Sequence, residues 1–289
     1  MAGVNRGSGR NSRRAAKQRP ADGAAPQQQA AFAAVRLSPS APVPPATAPP
    51  ATVPPGLFAR YTRAYTSAKE GPVAVLTAGA VTATGPGAAG LWADGSDVSL
   101  TLIDDDQPTI RAAVQAGGSL RQCILGDLRT VPLPPRAFDI VHCARLLERI
   151  EHAELVLDRL ISAIKPGGLL LLRFCDRDSA AGFLDRALPA VVRRAVWRSR
   201  NPGQPGPHPA VYEPLTSARG VQAYALLRGL VIAERMALGG LAGGLPAGPP
   251  GYLAAQRLLA RISRGRLTAA HEDLLYVLRK PESRFARVL

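Results

Sequence analysis

Carboxylates stand directly after two apolar runs of this sequence, at a spacing that suits recognition of a nucleoside. Asp104 and Asp105 follow the run at 97–103. They lie roughly 20 residues beyond a glycine turn, where a carboxylate can accept two hydrogen bonds from a ribose. Asp127 follows the next apolar run and can accept a hydrogen bond from an exocyclic amino group such as adenine N6. The structural alternative is that these acids only cap a helix or form a turn.

Other residues have types that could contact a ligand or move a proton. Gly79 follows the first apolar run, where a missing side chain lets backbone approach a ligand or simply allows a tight turn. A reaction at a proton-bearing acceptor needs a general base. The candidates for that base are His142, His208, Tyr212 and Glu213. Each has a structural alternative, because His142 can be a packed imidazole at a strand end and the other three can belong to an ordered loop.

Alternating strand and helix patterns must position these residues. Five apolar strands are predicted in the first part of the chain, at 72–76, 97–103, 119–125, 138–143 and 169–175. The helix predicted at 150–164 has one apolar face and is expected to end at Lys165–Gly168. Two further strands are predicted at 230–237 and 273–280, as an antiparallel hairpin. The pattern predicts an α/β fold with a doubly wound, mostly parallel, seven-stranded sheet.

The ends of the chain and its composition bear on partners. The 289 residues carry a net charge of +15, which favours anionic surfaces such as nucleic acid or lipid. Residues 1–56 are rich in Ala, Pro and Arg and are predicted to be a disordered tail, either a basic arm for nucleic acid or a solubilising leader. Three dispersed cysteines and the lack of an apolar leader or spanning segment favour a cytoplasmic protein.

The segment 179–215 is predicted to be a lid or substrate insertion within a domain that covers 57–289. A basic helix is expected there, interrupted at Pro189 and containing Trp197. Its arginines could contact an anionic or lipid-like substrate or a membrane surface, which makes peripheral membrane contact a further hypothesis. The alternative is a solvated arginine face with Trp197 in the core.

Several motifs in order resemble the class I S-adenosylmethionine-dependent methyltransferases, in the branch that acts on quinone precursors and other small molecules. The motifs are VAVLTAGA, LTLIDDD, GDLRTVPLPPRAFDIVHCARLLERI and KPGGLLLLRF, and together they cover residues 71–175. The resemblance implies a Rossmann-like fold and S-adenosyl-L-methionine as cofactor. It implies that Asp104 holds the ribose, that Asp127 and the backbone of Leu128 hold the adenine, and that the turn at 77–81, with Thr77 and Gly79, approaches the methionine half. His142 would then lie near the cofactor's amino group.

Three functions follow as hypotheses. The first is methyl transfer from S-adenosyl-L-methionine to a small-molecule acceptor. The second is a non-catalytic binding or regulatory protein with the same fold, because Thr77 stands where the family has an acid and Val81 stands where it has a second glycine. The third is an RNA methyltransferase that uses the basic tail as an arm. No metal site is expected.

Overall fold

The computed structural model describes residues 57–79, 98–116, 123–202, 204, 206–240, 245 and 248–282. The tail at 1–56 lies outside these ranges, so its disorder and its role as a basic arm stay predictions. The strands are β1 (Val73–Ala78), β2 (Val98–Asp104), β3 (Cys123–Leu125), β4 (Phe138–Ala144), β5 (Ile164–Cys175), β6 (Val231–Leu238) and β7 (Asp273–Arg279). The helices are α1 (Leu57–Ala68), α2 (Pro108–Ala116), α3 (Ala153–Ala163), α4 (Ala180–Ala187), α5 (Ala190–Arg200), α6 (Ala218–Arg228) and α7 (Tyr252–Ile262).

The strands form one seven-stranded sheet in the order β3-β2-β1-β4-β5-β7-β6. Strands β1 to β5 pair in parallel, whereas β7 is antiparallel to both β5 and β6. The chain runs outward from β1 to β3 and then returns to place β4 on the other side of β1. The strand order therefore reverses between β1 and β4, which is where a sheet of this kind leaves a crevice for a ligand. The predicted doubly wound, mostly parallel sheet is confirmed.

Both faces of the central strands are covered, as their continuous apolar runs predict. On β5, Leu170 and Leu172 belong to the larger core cluster, while Leu169 and Leu171 belong to a second cluster. Helices α3 and α6 contribute residues to the larger cluster, and Leu57 and Phe58 of α1 contribute to the second. Side chains alternate between faces along a strand, so this two-sided burial fixes the register of the sheet.

The segment Lys165–Gly168 differs from its prediction. Helix α3 ends at Ala163 and β5 begins at Ile164, so the lysine, proline and two glycines lie within the strand instead of closing the helix. Gly168 packs so closely on β4 that a Cβ there would lie 2.6 Å from the carbonyl oxygen of Asp139. The glycine is needed because two strands approach, and that requirement depends on tertiary structure.

The predicted insertion at 179–215 contains α4 and α5 followed by an extended segment. The interruption at Pro189 is confirmed, since α4 ends at Ala187 and α5 begins at Ala190. Whether the insertion acts as a lid stays a prediction. Within the described ranges, no helix is both long enough and apolar enough to span a bilayer.

Candidate functional site

The tips of β1, β2 and β4 meet at Gly79, where the strand order reverses. The Gly79 N–H donates to the carbonyl oxygen of Ile103 at 3.0 Å. Its φ is +79°, and a Cβ at this position would lie 2.4 Å from the carbonyl oxygen of Ala144. Glycine is therefore required by the local backbone, because it tolerates positive φ and leaves space for the neighbouring strand. The structure places this predicted site residue at the crevice.

Asp104, the predicted ribose-binding acid, is fully buried at the end of β2. One of its carboxylate oxygens accepts a hydrogen bond from the Arg149 guanidinium and another from the Asp105 N–H at 2.9 Å. The same Arg149 nitrogen lies 3.1 Å from a carboxylate oxygen of Asp105. The structure thus adds a buried arginine that contacts both predicted acids.

Arg149 is a site residue that the sequence patterns do not reveal. Its side chain is 1% exposed, and it lies in a turn between β4 and α3. Its Nε and Nη1 atoms have no hydrogen-bond partner within the part of the chain that the structure describes. A guanidinium buried this deeply needs its carboxylate partners, because an uncompensated buried charge is strongly unfavourable. The sequence around it, ARLLERIEH, mixes apolar and charged residues, and an amphipathic helix explains that pattern equally well.

Asp127 and Leu128 follow β3, on the strand next to Asp104. Strand pairing places Asp104 beside Leu125, and the Gly126 N–H donates to the Asp104 carbonyl oxygen at 3.1 Å. The Asp127 carboxylate is exposed and accepts from Arg129, whose hydrogen bonds lower the pKa of this carboxyl. Leu128 is buried. The two nucleoside-binding candidates therefore end adjacent strands, one carboxylate buried and the other open to solvent.

Thr77 and His142 are paired residues on β1 and β4, and both side chains are buried. The His142 ring packs edge-on against Phe58, with ring centroids 5.6 Å apart. Burial, with a smaller contribution from Arg173, lowers the pKa of His142 to about 3. The Thr77 hydroxyl finds no hydrogen-bond partner among the described residues. The structure places both residues inside the sheet, short of the strand tips, while Val81 lies outside the described residues.

The segment from His208 to Tyr212 crosses the turn after β4. The N–H groups of Val211 and Tyr212 donate to the carbonyl oxygen of Glu148 at 2.9 and 3.1 Å. Burial and then Arg149 lower the pKa of His208 to about 3. Burial raises the pKa of Tyr212 well above its ordinary value, and its hydroxyl donates to Asp185 at 3.0 Å. Neither candidate base titrates near neutral pH, where proton abstraction is most efficient.

Glu213, the remaining candidate base, has a structural role in this arrangement. Its two carboxylate oxygens accept hydrogen bonds from the N–H groups of His152 and Ala153, at 2.7 and 2.9 Å. These N–H groups at the start of α3 have no acceptor within the helix, so Glu213 satisfies them. Its negative charge also interacts favourably with the positive end of the helix dipole. Glu213 caps that helix, so the structure does not bring it to the crevice as a base.

The two buried histidines predict a loss of stability in mild acid. Both have a folded-state pKa of about 3, below the value of about 6.5 expected for an unfolded chain. The unfolded state then binds two more protons between these values, so their contribution to stability is present above pH 6.5 and is lost as the pH falls. We expect the free energy of unfolding to decrease by about 2 kcal/mol between pH 6 and pH 5. Urea denaturation at the two pH values measures it.

The variant His142→Leu should remove about half of that decrease, because one titrating group is lost. His152→Asn is the matched control, since the side chain of His152 is exposed. The raised pKa of buried Glu148 acts in the opposite direction and is common to all three proteins. An unchanged pH dependence of stability in the His142 variant would show that the lowered pKa of His142 is not a cause of the loss.

Among the residues that the structure describes, no group of three or more His, Cys, Asp or Glu side chains is placed to hold a metal ion. Cys143 and Cys175 are buried within their strands as free thiols. The candidate site consists of the crevice around Gly79 and Asp104, the exposed Asp127 after β3, and the turn after β4 that contains Arg149.

Comparison with known proteins supports this view of the fold. Residues 81–172 match a family model described as a methyltransferase domain. No curated protein matches the chain. With the strand order and the antiparallel β7, the chain has the Rossmann-like methyltransferase fold.

Similar solved structures have low sequence identity. The SpnF cyclase is 17% identical over 78% of this chain and 82% of its own, with a TM-score of 0.44. An S-adenosylmethionine-dependent methyltransferase from Mesorhizobium loti is 16% identical over 78% and 99%, with a TM-score of 0.41. Another from Archaeoglobus fulgidus is 12% identical over 78% and 94%, with a TM-score of 0.44. All three similarities are low in both sequence identity and TM-score.

Proposed function

We propose that this protein transfers a methyl group from S-adenosyl-L-methionine to a small-molecule acceptor. The observation that carries the proposal is that Gly79, at the point where the strand order reverses, bonds to the end of β2 at Ile103, the residue before the buried Asp104. The methyltransferase-domain match over 81–172 supports the same activity. S-adenosyl-L-methionine, when bound, supplies an electrophilic methyl group on sulfur.

The residues present fit this cofactor under one condition. Asp104 would accept hydrogen bonds from the ribose hydroxyls, and Asp127 with the Leu128 backbone would recognise the adenine. The Gly79 backbone would contact the methionine half, next to Thr77. The condition concerns Arg149, whose guanidinium bonds to the Asp104 carboxylate and must move aside or share it. The orphaned Nε and Nη1 atoms of Arg149 indicate a side chain not fully satisfied in its present position.

The covered Asp104 also favours a second function, a non-catalytic protein of the same fold that binds no nucleoside. In that case Arg149 is a permanent structural partner of Asp104 and Asp105. The two functions make opposite demands on the same ion pair. If a ligand binds only when Arg149 has moved away from Asp104, the free energy of that displacement lowers the apparent affinity of the ligand.

Calorimetric titration with S-adenosyl-L-methionine tests the proposal. We expect the wild type to bind, and Asp127→Ala to bind about tenfold more weakly because a charged hydrogen-bond acceptor for the adenine is lost. Asp127 is suited to this experiment because its exposed side chain can be removed without opening the core. Asp106→Ala is the matched control, since Asp106 is an equally exposed acid bonded to Arg111.

The variant Arg149→Met separates the two functions. Heat from both the wild type and this variant supports methyl transfer. Binding that emerges only in Arg149→Met supports the non-catalytic protein, because the native arginine then blocks the ribose site. An absence of heat from both proteins overturns the assignment of S-adenosyl-L-methionine.

A further inference from the structure

A cavity of about 100 Å³ lies beyond the carboxyl end of β5. Its walls come from the end of β5, from the insertion helices α4 and α5, and from the start of α7. The cavity adjoins the turn after β4 through Arg145, four residues before Arg149. It is thus close in the fold to the crevice, but Asp104, Asp127 and Gly79 are not among its lining residues.

The wall of this cavity carries more positive than negative charge. The charged lining residues are four arginines and two acids: Arg145, Arg173, Arg193, Arg200, Asp185 and Glu272. Arg145 and Arg173 share one carboxylate behind the wall, that of Asp273, at 3.1 and 2.9 Å. Glu148, a further acid, lies 3.6 Å from Arg145, and burial raises its pKa. The arrangement favours an anionic ligand.

Three N–H donors on the wall have no hydrogen-bond acceptor among the described residues: Nε1 of Trp197, Nε of Arg200 and Nε of Arg193. The Arg193 Nε does lie 3.5 Å from a carboxylate oxygen of Asp185. Buried donors nearly always have an acceptor in native structures, so the other two atoms call for an explanation. The Arg200 guanidinium is already held, by Glu272 at 2.5 Å and over the Tyr252 ring at 5.1 Å. A donor fixed in this way can bind a carboxylate without further ordering.

Apart from Asn201, the rest of the wall is apolar or aromatic. Trp197, Tyr212 and Tyr252 line it together with Leu188 and Val196. Such a surface suits a planar apolar body, and the arginines of the lining can bind its charged group. Trp197 is itself held in place by its edge-on contact with His208, with ring centroids 5.2 Å apart.

We propose that this cavity binds a small organic carboxylate with an aromatic body, and that Arg200 and Trp197 supply hydrogen bonds to it. As the acceptor class of the methyl-transfer reaction, the inference rests on the proposed function. As a binding site, it does not require the cofactor. A carboxylate is ionised at neutral pH, which agrees with a site whose candidate base, Tyr212, has a pKa raised well above its ordinary value by burial.

Titration with benzoate and with benzamide, both without cofactor, tests the site. The two probes have the same shape but differ in charge, so we expect benzoate to bind at least about tenfold more tightly. Trp197→Phe removes the indole N–H while keeping an aromatic ring, and it should weaken benzoate binding by about tenfold. Arg198→Gln, on the exposed face of α5, is the control and should leave the affinity unchanged. Circular dichroism checks that both variants are folded.

Equal affinity for the two probes, or no heat from benzoate, would overturn the inference. An unchanged affinity in folded Trp197→Phe would do the same. If S-adenosyl-L-methionine binds but benzoate does not, the proposed function stands and the carboxylate site is rejected. If benzoate binds but S-adenosyl-L-methionine does not, the carboxylate site is supported and the proposed methyl transfer is rejected.

Discussion

Replacing Asp104 with asparagine is expected to lower the free energy of unfolding by about 3–5 kcal/mol. The side chains of Asp104 and Arg149 are 0% and 1% exposed, and their ion pair is shielded from solvent. Removal of the carboxylate charge leaves the guanidinium buried, with Asp105 as its remaining acidic partner among the described residues. Urea denaturation of the wild type and the variant at neutral pH measures the change.

Two further variants show whether the ion pair is the cause. Asp106→Asn changes an exposed acid of the same segment and should cost less than about 1 kcal/mol. The double variant Asp104→Leu with Arg149→Met replaces both charges by apolar groups, and it should recover stability to within about 2 kcal/mol of the wild type. A double variant no more stable than Asp104→Asn would contradict the pairing.

The consequences of this pair extend to function. A carboxylate that can be uncovered only by breaking a buried ion pair binds a ribose at a cost, and the ligand's own hydrogen bonds must offset it. The stability of the free protein and its affinity for a nucleoside are therefore coupled through Arg149. Measured together, the unfolding free energies of these variants and the cofactor titration give both sides of that coupling.

The sheet could be predicted from the sequence because its information is local. Apolar runs such as 138–143 and 169–175 specify strands whose two faces are both covered, and amphipathic segments between them specify the crossover helices. Strand tips follow directly from the strands, so Asp104 and Gly79 could be located at the crevice. Their positions depend on chain order and on the rules of parallel sheets.

The partners of those residues could not be predicted, because they are chosen by packing between distant segments. Arg149 bonds to Asp104, 45 positions earlier in the sequence, from a turn whose residue pattern is typical of the start of a helix. His142 belongs to a strand as predicted, yet its depth depends on Phe58 of α1 covering that face. Glu213 reads as a loop acid and proves to be a helix cap, since the two segments meet only in the folded chain.

The cavity beyond β5 could be predicted even less, because it is formed by contacts between distant segments. The basic character of α5 is evident in the sequence, but its arginines divide between solvent and the wall of a cavity. Arg198 is exposed, whereas the Arg200 side chain is 13% exposed and bonded to Glu272. Helical periodicity separates the two faces, but only the tertiary contacts with α7 and the end of β5 decide which face is buried.

Replacing Gly79 with alanine is expected to destabilise the fold by about 2–5 kcal/mol, from two separate causes. An alanine at φ +79° is strained whatever surrounds it. In addition, its Cβ would lie 2.4 Å from the Ala144 carbonyl oxygen, so the tips of β1 and β4 would have to separate. Chemical denaturation measures the loss, and the same displacement should weaken binding of S-adenosyl-L-methionine in calorimetry.

Gly71→Ala separates the two causes. Gly71 has a similar φ of +87°, but no heavy atom lies within 4 Å of the position a Cβ would take. This control therefore carries the backbone strain alone and should cost about 1–2 kcal/mol. The difference between the variants measures the close contact of β1 with β4. Equal losses in the two proteins would show that the strand tips are loosely packed, and the crevice at the reversal of strand order would then lack the rigid floor that a bound nucleoside requires.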